Sequence, residues 1–458
     1  MYFFHLYHKL GHLSSNFALV KSYIFITNYN NLLIKRTIKK YMKTIEGHDV
    51  KIFTDNIEEN ALEQIKHLLS IDVFSDRKIR IMPDVHAGAG CVIGFTGDLG
   101  DKVIPNIVGV DIGCGMRVLK LGKLSDIDFH AFHEHIRSNV PSGKIVREER
   151  FGFKPLVNEE MEIYREAKQL VMELRCYREL KDSGRINKSI GSLGGGNHFI
   201  ELDKDGEGNV YLVIHTGSRN LGKQVAEIYQ AKAIKHLTDG ADEFEETIKR
   251  TIEEYKAAGR RSELQKVIKQ MRRERKEIEP SLSADLCYVE GKAREDYLHD
   301  MRLCQRWAVL NRKLISLLLV KFFTSICVEE EFESVHNYIS EDNIIRKGSI
   351  SAVAGERCII PLNMRDGSLI CTGKGNPDWN FSAPHGAGRV LSRTQAYETI
   401  SMEDFEESMK GIYSESVNDF TRDESPMVYK PAEEIISNIG DTVTIDTIIR
   451  PIFNFKAS

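Results

Sequence analysis

Between residues 83 and 116 the chain carries eight glycines: Gly88, Gly90, Gly94, Gly97, Gly100, Gly109, Gly113 and Gly115. Glycine at this density excludes a long helix, because each one in a helix interior costs about 0.5–1 kcal/mol relative to alanine. The stretch is also too apolar and too varied for a flexible linker. It is predicted to form short strands joined by tight loops, with backbone passing close to other groups.

Ordinary periodicities surround this segment. The alternation HDVKIF predicts a strand within 47–53, and Ile57, Ala61, Ile65, Leu68 and Leu69 give helical spacing over 57–69. Residues 159–183 read as one amphipathic helix, and 297–319 as a buried one. The charged run 242–277 reads as a helical hairpin broken near Ala258-Gly259. Its outer faces read either as solvated surface laced with i,i+4 ion pairs or as a contact surface for RNA or a partner, through Arg260, Arg261, Arg272, Arg273, Arg275 and Lys276. Periodicity alone gives an α+β class.

Composition narrows the setting. No run of 18 apolar residues occurs, so no transmembrane helix is expected. The eight cysteines form no CxxC pair and read as reduced thiols of a cytoplasmic protein. A formal net charge of −4 decides nothing about nucleic acid, since a local basic groove can bind RNA on a mildly acidic protein. Residues 1–41 contain no Asp or Glu and several lysines. They read as an extension upstream of a start at Met42, and share their composition with organelle transit peptides. Residues 42–458 read as one domain.

Chemistry-bearing residues stand in five short runs, four of them embedded in glycine and the fifth, HNY, not. These are Asp111 and Cys114 in VDIGCG, His198 in GGGNHFIE, His215 in HTGSRNLG, His336 in HNY, and His385 in PHGAGR. A thiolate, a carboxylate and several imidazoles suit a borderline ion such as Mn²⁺, Fe²⁺ or Zn²⁺ and are poor for Mg²⁺ or Ca²⁺. The candidates scatter from 111 to 336, unlike the paired short spacings of a structural zinc, so the site is assembled by the fold and reads as catalytic. Arg219, four residues after His215, is a natural bidentate partner for phosphate. Lys374 in CTGKGN lacks the rest of a P-loop, and no GxGxxG sits in a Rossmann context.

Together, MPDVHAGAGCVIG, VDIGCGM, GSLGGGNHFIEL, HTGSRNLG, RKGSISAVAGE, SAPHGAGR, DESPMVYKP and the terminal PIFNFK closely resemble the RtcB family, the GTP- and manganese-dependent RNA-splicing ligases. The resemblance spans roughly residues 44 to 456. It implies one large α+β domain with mixed, largely antiparallel sheets around a central metal cleft, from which the 242–277 hairpin projects. It implies two Mn²⁺ ions on Asp111, Cys114, His198, His215 and His336, with Cys114 bridging. It implies that His385 is guanylylated by GTP, and that Asp84 serves catalysis in a role the sequence leaves open. Nucleotide contacts are implied for Asn197, Glu201, Asn363, Ser368, Gly386, Ala387, Gly388, Tyr429 and Lys456, and RNA phosphate contacts for Arg219 and Lys347.

The implied substrates are tRNA halves or broken RNAs with a 3′-phosphate or 2′,3′-cyclic phosphate facing a 5′-hydroxyl. The implied protein is a monomer, with room for an activating partner. The segment 361–381 departs from the archaeal and animal pattern, which points to a bacterial-type branch engaged in RNA repair. Two other classes use some of the same residues. A metal-dependent RNA phosphatase or phosphodiesterase needs the metal cluster but not His385. A non-catalytic RNA-binding protein needs neither.

Overall fold

The computed structural model describes residues 43–148, 152–238, 241–275, 280–324 and 326–457. The acid-free segment 1–41 lies outside them, as do Lys276 and the end of the 242–277 run. Two mixed-size sheets dominate. The first has the order β1 (Lys43–Thr44), β2 (Val50–Ile52), β3 (Ile79–His86), β4 (Ile93–Asp98), β10 (Ile344–Lys347), β9 (Asn337–Ile339). The second has the order β12 (Arg357–Asn363), β13 (Gly367–Gly373), β15 (Val443–Lys456), β6 (Phe199–Lys204), β7 (Val210–Thr216), β5 (Gly115–Gly122), β8 (Glu330–Val335). A short ladder joins β11 (Ser349–Ser351) to β14 (Ser382–Pro384). Every strand pair is antiparallel except β2 with β3. The class is therefore α+β, as expected.

The 83–116 segment completes β3, forms β4 and enters β5, with one short helix, Pro105–Val108, that the glycine argument did not anticipate. Pro105 opens that helix, where its missing N–H is no loss. The helix expected over 297–319 extends over Gly291–Val320, 30 residues. Trp307, Leu314, Ile315 and Leu319 on it are fully buried, and it supplies residues to both principal apolar cores. The single helix expected over 159–183 is divided. It runs Glu159–Glu173, turns, and resumes as Ser183–Lys188. The cause lies on the long helix: the buried Asp300 carboxylate accepts the backbone N–H groups of Arg175 (2.8 Å) and Cys176 (3.0 Å), which takes them out of helical pairing. Helices also occupy Ala241–Ala257 and Leu264–Arg275, separated at Gly259, where φ is +70°. No helix among the described residues is long and apolar enough to cross a membrane.

Candidate functional site

Four adjacent strands of the second sheet, β6-β7-β5-β8, bring their alternate ends to one edge. Cys114 precedes the first residue of β5, His198 precedes β6, His215 is the penultimate residue of β7, and His336 follows the last residue of β8. The registers hold them level: Gly115 lies opposite both Thr216 and Val335, and His215 lies opposite both Met116 and Phe199. Residues 222 positions apart in sequence thus meet because antiparallel neighbours put one strand's start beside the next strand's end.

The loops at that edge are clamped by two buried residues of the long helix. Asn311 accepts the N–H of Gly191 (2.7 Å) and donates to the carbonyls of Ser192 (3.1 Å) and Gly217 (3.3 Å). Arg312 donates to the carbonyls of Gly113 (2.9 Å) and Thr216 (2.7 Å), and pairs with Glu333. The helix also explains a glycine: at Gly113, φ is +72° and a Cβ would fall 2.7 Å from Gln305 Cα. At Gly217 a Cβ would fall 2.2 Å from an Asp111 carboxylate oxygen.

Cys114 Sγ lies 3.5 Å from His198 Nε2 and 3.4 Å from His215 Nε2, and His198 Nε2 lies 3.0 Å from Asp111 Oδ2. The His215 and His336 rings are 5.3 Å apart. Among the described residues two sets of three donors, Cys114/His215/His336 and Asp111/Cys114/His198, each lie within 4.8 Å of one another. Cys114 belongs to both. Each neighbouring imidazole is oriented from behind: His198 Nδ1 donates to the Leu193 carbonyl (2.9 Å) and His215 Nδ1 to that of Asn197 (3.0 Å). That leaves both Nε2 lone pairs facing the thiol, the arrangement a metal-ligating histidine needs. Burial holds His215 and His336 well below the ordinary imidazole range, in the neutral form that can ligate. Burial and the Asp111 carboxylate push the Cys114 thiol up. The chemistry of these donors suits a borderline divalent ion.

His385, at the end of β14, stands next to this group, its ring 4.9 Å from that of His336. Asp84 Oδ2 accepts both the His385 backbone N–H (3.1 Å) and Nδ1–H (2.7 Å). The Asp84 side chain is fully buried while the His385 ring is partly exposed. The carboxylate fixes the tautomer, so Nε2 is the free lone pair.

Asp111, Cys114, Asn197, Glu201, His215, His336, Asn363, His385, Gly386, Ala387, Gly388, Tyr429 and Lys456 all line one cleft of about 310 Å³. Asp84 and His198 stand behind lining residues, on His385 and on Cys114 and Asp111 respectively, and three further residues stand elsewhere. The Ser368 hydroxyl is buried in β13. Lys347 is buried and donates to the carbonyls of Ala89 (2.6 Å) and Asn106 (3.3 Å). Arg219, at a φ of +58°, reaches the Gly143 carbonyl (2.9 Å) and Ser192 Oγ (3.3 Å). Asn363 caps a turn, its Oδ1 accepting the N–H groups of Arg365 and Asp366.

The wall away from the metal ligands is organised by a residue the sequence did not single out. Glu424, 2% exposed, accepts from Lys456 Nζ (3.1 Å) and Tyr429 Oη (2.7 Å) and pairs with Arg389 (3.3 Å) and Arg393 (3.3 Å). Burial alone would raise its pKa, but the Lys456 and Arg393 charges, the Tyr429 hydroxyl and Arg389 outweigh it and bring it to about 2. Its stabilising contribution is therefore complete above its ordinary value of 4.5 and is lost as the pH falls toward 2. Glu424→Gln should destabilise the chain at pH 7 by about 3 kcal/mol in urea unfolding. The gap to the unaltered chain should narrow between pH 4.5 and 2, and a gap independent of pH would count against this account. Glu201 presents a second carboxylate to the cleft, held by Asn454 (2.6 Å) and pushed up by burial.

The profile of the tRNA-splicing ligase RtcB family matches residues 64–457. The RNA-splicing ligase RtcB of Escherichia coli K12 is 29% identical over 441 residues, covering 90% of this chain and 98% of that protein. The tRNA-splicing ligase RtcB of Aeropyrum pernix is 27% identical, covering 81% and 86%. RtcB2 of Escherichia coli ATCC 25922 is 24% identical, covering 92% and 98%. With the profile spanning nearly all of the described fold and both donor sets inside it, this chain belongs to the RtcB family.

Proposed function

We propose that the chain is a GTP-dependent RNA ligase that joins a 3′-phosphate or 2′,3′-cyclic phosphate end to a 5′-hydroxyl, in tRNA splicing or RNA repair. The observation that carries this reading is the His385–Asp84 pair beside the metal-capable cluster, since hydrolysis at a metal site has no use for a second, tautomer-locked imidazole. Asp111, Cys114, His198, His215 and His336 would hold two Mn²⁺ ions, which supply charge neutralisation on phosphate oxygens when bound.

In this scheme His385 Nε2 attacks the α-phosphate of GTP; a P–N bond forms and pyrophosphate leaves. Asp84, through Nδ1–H, keeps Nε2 unprotonated beforehand and stabilises the ring as its charge rises. Gly386, Ala387 and Gly388 leave the backbone open beside the phosphates. Asn197, Asn363 and Tyr429 hold the nucleotide, with Glu201 and Lys456 at the guanine edge. A 3′-phosphate oxygen of the RNA then takes the guanylate, breaking the P–N bond. The 5′-hydroxyl attacks the activated 3′-phosphate, GMP leaves and a 3′–5′ phosphodiester forms. A 2′,3′-cyclic end is first opened by water to the 3′-phosphate. Arg219 orients the RNA phosphate, and Lys347 and Ser368 serve the fold that carries these groups.

The test is a sealing assay with GTP and Mn²⁺ on RNAs bearing defined ends. Ligation is expected for 3′-phosphate and cyclic ends with a 5′-hydroxyl partner, and Asp84→Asn should slow it by about 10²–10⁴-fold by loosening the tautomer. Sealing of only 3′-hydroxyl with 5′-phosphate ends, or simple release of inorganic phosphate, would refute the proposal.

A further inference from the structure

The helix Leu264–Arg275 carries a charge pattern that the cleft chemistry does not use. At 100° per residue, Leu264, Val267, Ile268 and Met271 fall on one side and are half-buried, while Lys266, Lys269, Arg272 and Arg273 fall within an arc of about 120° on the other and are exposed. The apolar side faces inward in a hairpin with Ala241–Ala257, so the basic side faces solvent. None of these four cations has a hydrogen-bonded or ion-paired partner among the described residues. The sequence offers two readings of such a run, and among the described residues no i,i+4 ion pair forms at these four positions. By contrast, Arg260 in the connection does pair, with Glu263 at 2.6 Å. From Lys266 to Arg273 the stripe is about 10 Å long.

We propose that this stripe is an RNA-backbone binding surface, taking two or three consecutive phosphates of one strand without reading bases. Four like charges on one face, unpaired among the described residues, repel one another and gain most from a polyanion that releases its counterions when it docks. The partner is identified as RNA because the family acts on RNA, so the inference rests on the ligase reading. The same surface on a protein that only bound acidic polypeptides would leave RNA affinity unmoved.

The experiment compares the full chain with Lys266→Gln/Lys269→Gln/Arg272→Gln/Arg273→Gln, measuring binding of a single-stranded RNA of about 40 nucleotides across a salt series. The variant is expected to bind on the order of 10- to 100-fold more weakly, with the slope of log K against log salt reduced by about 2. Lys266→Arg/Lys269→Arg should bind like the unaltered chain. Nucleotide labelling at His385 is expected to be unchanged in both variants, which shows that they fold and separates this test from the ligase assignment. An unchanged affinity and slope, including the case in which the stripe serves an acidic protein instead, would overturn the proposal. So would a weaker affinity with an unchanged slope.

Discussion

A Cys114→Ala chain is expected to bind neither of the two Mn²⁺ ions proposed for the unaltered chain. Cys114 is the one side chain common to both donor sets, so its removal leaves His215 with His336 on one side and Asp111 with His198 on the other, two donors each. Two donors without a thiolate make a weak site for a borderline ion. Single substitutions elsewhere should act on one side only: His336→Ala on one ion, His198→Ala on the other. Elemental analysis of the purified chains after dialysis against Mn²⁺ measures this directly. The sealing rate of Cys114→Ala should fall by several kcal/mol of lost phosphate stabilisation, on the order of 10³-fold or more. Because the buried thiol must lose its proton to bind, metal affinity in the unaltered chain should rise with pH. Retention of one full equivalent by Cys114→Ala would remove the bridging role.

The second large effect is at His385. His385→Ala should seal no 3′-phosphate RNA, yet keep its metal content, since His385 belongs to neither donor set. It should still seal an RNA supplied with its 3′ end already activated as the guanylate, because the last step uses no nucleophile from the protein. Cys114→Ala should fail on that substrate too. The pair of variants thus separates nucleotidyl transfer from strand joining.

Most residue types of the site were legible because Asp111, Cys114, His198, His215 and His385 sit in glycine-flanked runs, where neither helix nor strand packing accounts for them; His336, in a run without glycine, was legible only beside the others. The strand-end juxtaposition of Cys114, His198, His215 and His336 was not legible, because register between strands far apart in sequence leaves no local periodicity. Asn311 and Arg312 were hidden for a related reason. Each is a single polar residue in a helix that reads as core, and its purpose shows only once the loops it holds are beside it. Glu424 lay inside the quoted motif DESPMVYKP, but nothing local reports that Lys456 and Arg389 arrive from other elements. The helix expected across 159–183 divides because a distant carboxylate, Asp300, takes its backbone donors, a tertiary contact that propensity cannot see. Asp84 is the reverse case: the sequence leaves its role open, and its 2.7 Å contact with His385 Nδ1 supports the positioning role proposed for it.

The most direct test of the central claim is covalent labelling. Incubated with Mn²⁺ and GTP labelled in the α-phosphate, the unaltered chain should acquire one labelled guanylate. Its bond should be labile in acid and stable in alkali, as a phosphorus–nitrogen linkage requires, and His385→Ala should acquire none. Label persisting on His385→Ala, or no label on a metal-loaded unaltered chain, would contradict it.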